Sequence, residues 1–170
     1  MHIVLLEPEI PHNTGAIGRT CHATGSTLHL IRPLGFSVDE RAVQRSGLDY
    51  WKELDVRIYD DFEHFLRENH GARLFMATTK ARHSYTDVVY REDDYIVFGR
   101  ESRGLPEELL LQYPDSAIRI PMKPEMRSLN LSVSAGIILY EALRQTGFET
   151  LATKGQLHRH TWDETEHRIL

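Results

Sequence analysis

Short apolar runs recur along the chain, separated by polar stretches that fit helices. The runs are HIVLL (2–6), TLHLI (27–31), DVRIY (55–59), RLFMATT (73–79), YIVFG (95–99) and AIRIPM (117–122). Their length, their β-branched content and the turn-forming residues around them read as strands. Most are apolar throughout rather than alternating, which is the pattern of strands buried on both faces. The expected fold is therefore α/β, a mostly parallel sheet flanked by helices. Helical spacing fits 14–24, 39–46, 61–69, 106–112 and 130–146, each beginning near Asn, Asp or Pro. The last is the clearest. Asn130 can cap it, Leu131, Ala135, Ile138 and Ala142 recur at helical spacing, and Gly147 stands where a C-terminal glycine is expected. Residues 1–150 are expected to form a single domain. The polar, weakly patterned segment 151–170 reads as a peripheral extension.

Composition narrows the class. With 170 residues, 41% of them hydrophobic, the chain can bury one core and is short for two. No window approaches eighteen consecutive apolar residues, and MHIVLLEPEIPHN lacks a basic leader, so a soluble cytoplasmic protein without a membrane partner is expected. Cys21 is the single cysteine, which excludes an internal disulfide and a cysteine-built metal site. It reads either as a small buried thiol or as a catalytic one, the first being the ordinary case. The formal net charge is −5, so any contact with nucleic acid has to come from local patches. Basic residues do cluster: Arg41, Arg45 and Lys52; Lys80, Arg82 and His83; Arg100 and Arg103; Lys123 and Arg127. His158, His160 and His167 lack an acidic partner pattern, and no metal is expected.

Ligands of a parallel sheet gather where strands end and loops lead into helices. Three such loops stand out: FGRESRGLPEE (98–108), IPMKPEM (120–126) and RSLNLSVSAG (127–136). Each alone reads as an ordinary turn or cap; their joint order is far more specific. A fourth, EPEIPHNTGAIGRT (7–20), leaves the first strand through Pro, Asn and Gly as a phosphate-binding loop does, but no Lys-Ser/Thr follows.

The combination of NTGAIGR, FGRESRGLP and IPM followed by RSLNLSVSAG resembles the SPOUT superfamily of S-adenosylmethionine-dependent RNA methyltransferases, in its TrmH-type ribose 2'-O-methylating class. EPEIPHNTG, RPLGF, RSGLDYW, TTK and YEALRQTG are similar to the small single-domain enzymes that methylate the wobble cytidine or uridine of certain leucine tRNAs. The resemblance covers roughly residues 1–147. Two positions depart from it. Arg100 stands where relatives typically have Pro, and Gly18 where they often have Ile, at a helix cost of about 0.5–1 kcal/mol against Ala.

The resemblance implies a deep C-terminal trefoil knot, a feature no periodicity predicts. It implies a methyl-donor pocket at Ala77, Thr78, Gly99, Glu101, Gly104, Ile120, Met122, Ser128, Leu129 and Asn130, and a homodimer packed through the first and last helices. Arg19 is the implied catalytic residue. A guanidinium is too weak an acid to serve as a simple base, so its expected role is to position the phosphate and stabilise a developing alkoxide. The substrate tRNA is expected to meet Asn13, Arg41, Arg45, Arg103 and Tyr140. Alternatives stay open at several of these. Asn13 can cap the first helix, Glu101 can brace its loop through backbone N–H groups or pair with Arg103, and Tyr140 can simply be core. A dinucleotide-dependent oxidoreductase would need Gly-x-Gly-x-x-Gly, and NTGAIG offers only Gly15 and Gly18. Another RNA site, or a non-catalytic RNA-binding protein on the same fold, are the remaining readings; intact Arg19, Ser128 and Asn130 count against the latter.

Overall fold

A computed structural model describes residues 1–37, 49–160 and 162. The expected helix 39–46 lies outside the described residues, as do Arg41, Arg45 and His167. Seven strands form one sheet: β1 His2–Leu6, β2 Thr27–Ile31, β3 Val56–Tyr59, β4 Leu74–Ala77, β5 His83–Ser84, β6 Tyr95–Phe98 and β7 Ala117–Arg119. Their order is β3-β2-β1-β6-β4-β7-β5, and every pairing is parallel. The helices are α1 Pro11–Thr24, α2 Phe62–Glu68, α3 Glu107–Leu110 and α4 Leu131–Gln145, with a 3-10 turn at Asp49–Lys52.

Burial on both faces explains the unbroken apolar runs. Ile3 and Leu5 point to one cluster, with Ile17 and Cys21 of α1 and Ala135, Ile138 and Leu139 of α4. Val4 and Leu6 point to the other, with Phe65 of α2 and Leu105, Leu109 and Leu110 around α3. Cys21 is thus the buried thiol, and burial pushes its pKa up to about 12. Neighbouring β1 and β6 send the chain opposite ways, to β2 on one side and toward β7 on the other. Their carboxyl ends therefore border a crevice of the kind where α/β sheets bind ligands.

The helix ends are set differently. The Asn130 side chain caps α4, its Oδ1 accepting from Ser132 N–H (2.8 Å) and Val133 N–H (3.4 Å), and Gly147 follows with φ +84°. Helix α1 begins at Pro11, three residues before its expected start, and its N-cap Ile10 offers no side-chain bond. Asn13 is accordingly inside the helix and is not its cap.

From His2 and Tyr95 at the amino ends of β1 and β6 to His29 in the middle of β2, the structure holds a polar network that the strand pattern does not announce. His29 is fully buried; its Nε2 meets His2 Nδ1 at 3.0 Å and its Nδ1 meets the Tyr59 hydroxyl at 2.9 Å. Asn69 donates to Tyr59 and accepts from Tyr95. Desolvation lowers His29 to about 3 and His2 to about 4, so both are neutral in the folded chain at neutral pH.

Candidate functional site

The loop after β6 crosses the crevice in a tight turn. Gly104 takes φ +69°, and its N–H donates to the Arg100 carbonyl at 2.7 Å. Gly99 is packed against the returning chain: a Cβ there would lie 2.2 Å from the Gly104 carbonyl carbon and 2.4 Å from Leu105 N. Only glycine fits.

This turn, the segment after β7 and the entry to α4 enclose a cavity of about 590 Å³. All ten expected donor positions line it: Ala77, Thr78, Gly99, Glu101, Gly104, Ile120, Met122, Ser128, Leu129 and Asn130. Asn13 and Arg103 line it as well. Sequence reasoning missed Ile10, Phe98, Ile118 and Ile138, which supply apolar wall, and Ser134, one turn into α4. Their signal was only that they neighbour the motif loops in sequence. Lys80 and Arg127, read as patch residues, line the cavity too.

Two expected residues stand elsewhere. Arg19 is exposed on α1 and Tyr140 is 48% exposed on α4; neither lines the cavity, and Tyr140 is not core.

Carboxylates organise the rim. Glu101 accepts from the backbone N–H groups of Glu9 (2.8 Å) and Ile10 (3.2 Å) and from Asn13 Nδ2 (3.0 Å). It therefore braces the start of α1 rather than its own loop, and among the described residues it makes no ion pair with Arg103. Asn13 Oδ1 in turn accepts from Asn130 Nδ2 at 3.0 Å, joining the first motif to the last. The Glu9 carboxylate accepts from Ser102 N–H (2.9 Å) and Ser102 Oγ (2.8 Å), which holds it below the usual carboxylate range. Arg100, the departure in this loop, forms an ion pair with Glu7, whose backbone has φ +54°. Lys80 pairs with Glu107 at 2.6 Å. Two cations of the expected basic patches are thus partly neutralised within the chain.

The other departure also has a partner. A Cβ on Gly18 would meet Leu54 Cδ2 and Trp51 Cζ3, each at 3.1 Å. The missing side chain leaves room for the indole at the 3-10 turn.

A pocket of apolar wall and polar rim at the switch point of a parallel sheet is the site of an α/β enzyme that holds a small organic ligand. Comparison with known proteins narrows that class. The profile of the SpoU rRNA Methylase family matches residues 1–140. Over 149 residues the chain is 46% identical to the tRNA (cytidine(34)-2'-O)-methyltransferase of Escherichia coli (strain K12), covering 87% of this chain and 95% of that protein. A protein of the same name from Methylovorus glucosotrophus (strain SIP3-4) is 46% identical over 147 residues, covering 86% and 96%. A solved structure reported for the 2-OH methylation of C/U34 on tRNA superposes with a TM-score of 0.80 at 48% identity, over 85% of this chain and 95% of that one. The chain belongs to the SpoU methylase family.

Proposed function

We propose that the protein transfers a methyl group from S-adenosylmethionine to the ribose 2'-hydroxyl of the wobble cytidine or uridine in a tRNA anticodon, leucine tRNAs being the expected substrates. The observation that carries this reading is the convergence of all ten expected donor positions on one cavity. The cavity suits a nucleoside-bearing donor. Ile120 and Leu129 offer apolar surface to a purine ring, backed by the buried Ile118 and Ile138, and the turn at 99–104 and the segment 128–130 border the cavity. Bound there, S-adenosylmethionine supplies an electrophilic methyl carbon.

The chain's own residues supply position and charge. Asn13, Glu101 and Asn130 fix the rim through one hydrogen-bonded line. Arg103 and Arg127 offer cations to the RNA backbone beside the cavity. Arg19 holds the target phosphate and stabilises the alkoxide that develops on the 2'-oxygen, whose proton passes to phosphate or water. Its position outside the cavity fits a homodimer packed through α1 and α4, in which Arg19 of one protomer stands beside the cavity of its partner. The adjacent exposed apolar surface of Val133 (50%) and Tyr140 (48%) on α4 supports that packing, and gives Tyr140 a place at the subunit contact and near the RNA. The trefoil knot, formed by the three loops that meet at the cavity, belongs to the same reading. So does a cytoplasmic location; no helix among the described residues is long and apolar enough to cross a membrane.

Replacing Arg19 by Ala tests the assignment. S-adenosylhomocysteine affinity by calorimetry should stay within about twofold, while methylation of tRNA falls by at least about 100-fold, as for loss of a group that stabilises developing charge. Full retained activity would remove Arg19 from the mechanism.

A further inference from the structure

Glu9 and Glu101 lie 92 positions apart, and each carboxylate anchors the backbone of the other's loop. The Glu9 carboxylate takes both the N–H and the hydroxyl of Ser102, and the Glu101 carboxylate takes the N–H groups of Glu9 and Ile10. Four charge-assisted bonds thus join two loops that leave adjacent strands in opposite directions. The Glu101 carboxylate holds the two residues that lead into α1, whose N-cap Ile10 brings no side-chain acceptor. The connection is also part of the cavity, since Ile10, Asn13, Glu101 and Ser102 all line it. From Asn13 it continues to Asn130, at the head of α4.

We propose that Glu9 is a positioning residue: through Ser102 it ties the donor-side loop to α1, so that filling the cavity fixes the helix that presents Arg19 to RNA. The proposal rests on the methyl-transfer reading above. It makes the donor and RNA sites thermodynamically coupled. A ligand that orders the turn at 99–104 orders the start of α1, and by reciprocity RNA held by α1 tightens the donor by the same factor.

The affinities of S-adenosylhomocysteine and of an anticodon stem-loop RNA with cytidine at the wobble position test this on the full chain, each measured alone and with the other saturating. In the native protein each ligand should tighten the other by about fivefold or more. In Glu9→Ala the factor should fall to near one, with kcat dropping more than KM rises. Glu9→Gln should retain most of it, because the carboxamide oxygen accepts from Ser102 N–H and its NH2 can donate to Ser102 Oγ. Ser102→Ala removes one hydroxyl from an exposed residue; it should lower the factor to an intermediate value, and decides the matter should Glu9→Ala fail to melt cooperatively. A merely structural role would weaken both ligands alike and leave the factor unchanged. A native factor of one, or a factor unaltered in Ser102→Ala or a folded Glu9→Ala, overturns the clasp alone. A native chain that fails to bind either ligand overturns the methyl-transfer reading and the clasp with it.

Discussion

Gly99 shows how a single residue without a side chain shapes the site. The Gly104 carbonyl occupies the space a Cβ would need, with the nearest atom at 2.2 Å, and backbone cannot swing aside as a flexible side chain can. Gly99→Ala should therefore force the turn open. A melting experiment with and without S-adenosylhomocysteine should find a loss of about 1–3 kcal/mol, as for other overpacked sites, and little ligand-induced rise in Tm. An Ala variant with native Tm and a full ligand shift would contradict the close approach. The glycine itself was legible as a site residue through the motif that contains it. The atoms it makes room for were not, because close approach of 99 to 104 is a property of the folded turn. Asn13 teaches the same lesson from the other side. An Asn beside Pro and Gly at a helix entry reads locally as a cap, yet the acceptor that serves the start of α1 is Glu101, far along the chain.

At the scale of elements, α1 and the 3-10 turn fit by omission. Gly18 weakens the helix by itself, but the vacant Cβ position receives Trp51 and Leu54, so the cost is offset by packing that the sequence does not display. Gly18→Ile should destabilise the chain by about 1–3 kcal/mol in urea unfolding. Trp51→Ala in the same chain should recover much of that loss, giving a coupling well outside additive error. Additive effects would mean the indole does not fill the space. Strands were legible wherever burial on both faces left an unbroken apolar run, and β1 and β2 match their predicted bounds residue for residue. His83–Ser84, two residues long and partly exposed, carries no such signal and joins the sheet only through its neighbour β7. Helix α4 was legible to within a residue because its cap, stripe and glycine agree.

For the molecule as a whole, the neutral histidines His2 and His29 predict a pH response. His29 titrates near 3 and His2 near 4 when folded, against about 6.5 when unfolded, so the unfolded chain binds protons that the folded one refuses. Their contribution is complete above about pH 6.5 and declines as pH falls toward 4 and then 3, with a slope approaching about 1.4 kcal/mol per pH unit for His29. Paired carboxylates such as Glu141 are held low by their partners and lose their contribution only further down. Urea unfolding at pH 7.5 and pH 5 should therefore show lower stability at pH 5, with the difference reduced in His29→Gln. Equal stability at both values would mean that the network is not holding His29 neutral.

What the assembled protein does to RNA decides its function. Incubating it with labelled S-adenosylmethionine and total RNA, then mapping the labelled nucleotide, tests that most directly. The predicted result is a 2'-O-methyl group on the wobble cytidine or uridine of tRNA, with leucine tRNAs labelled and with labelling by Arg19→Ala reduced at least about 100-fold. Label confined to ribosomal RNA, or to a base rather than a ribose, would contradict it.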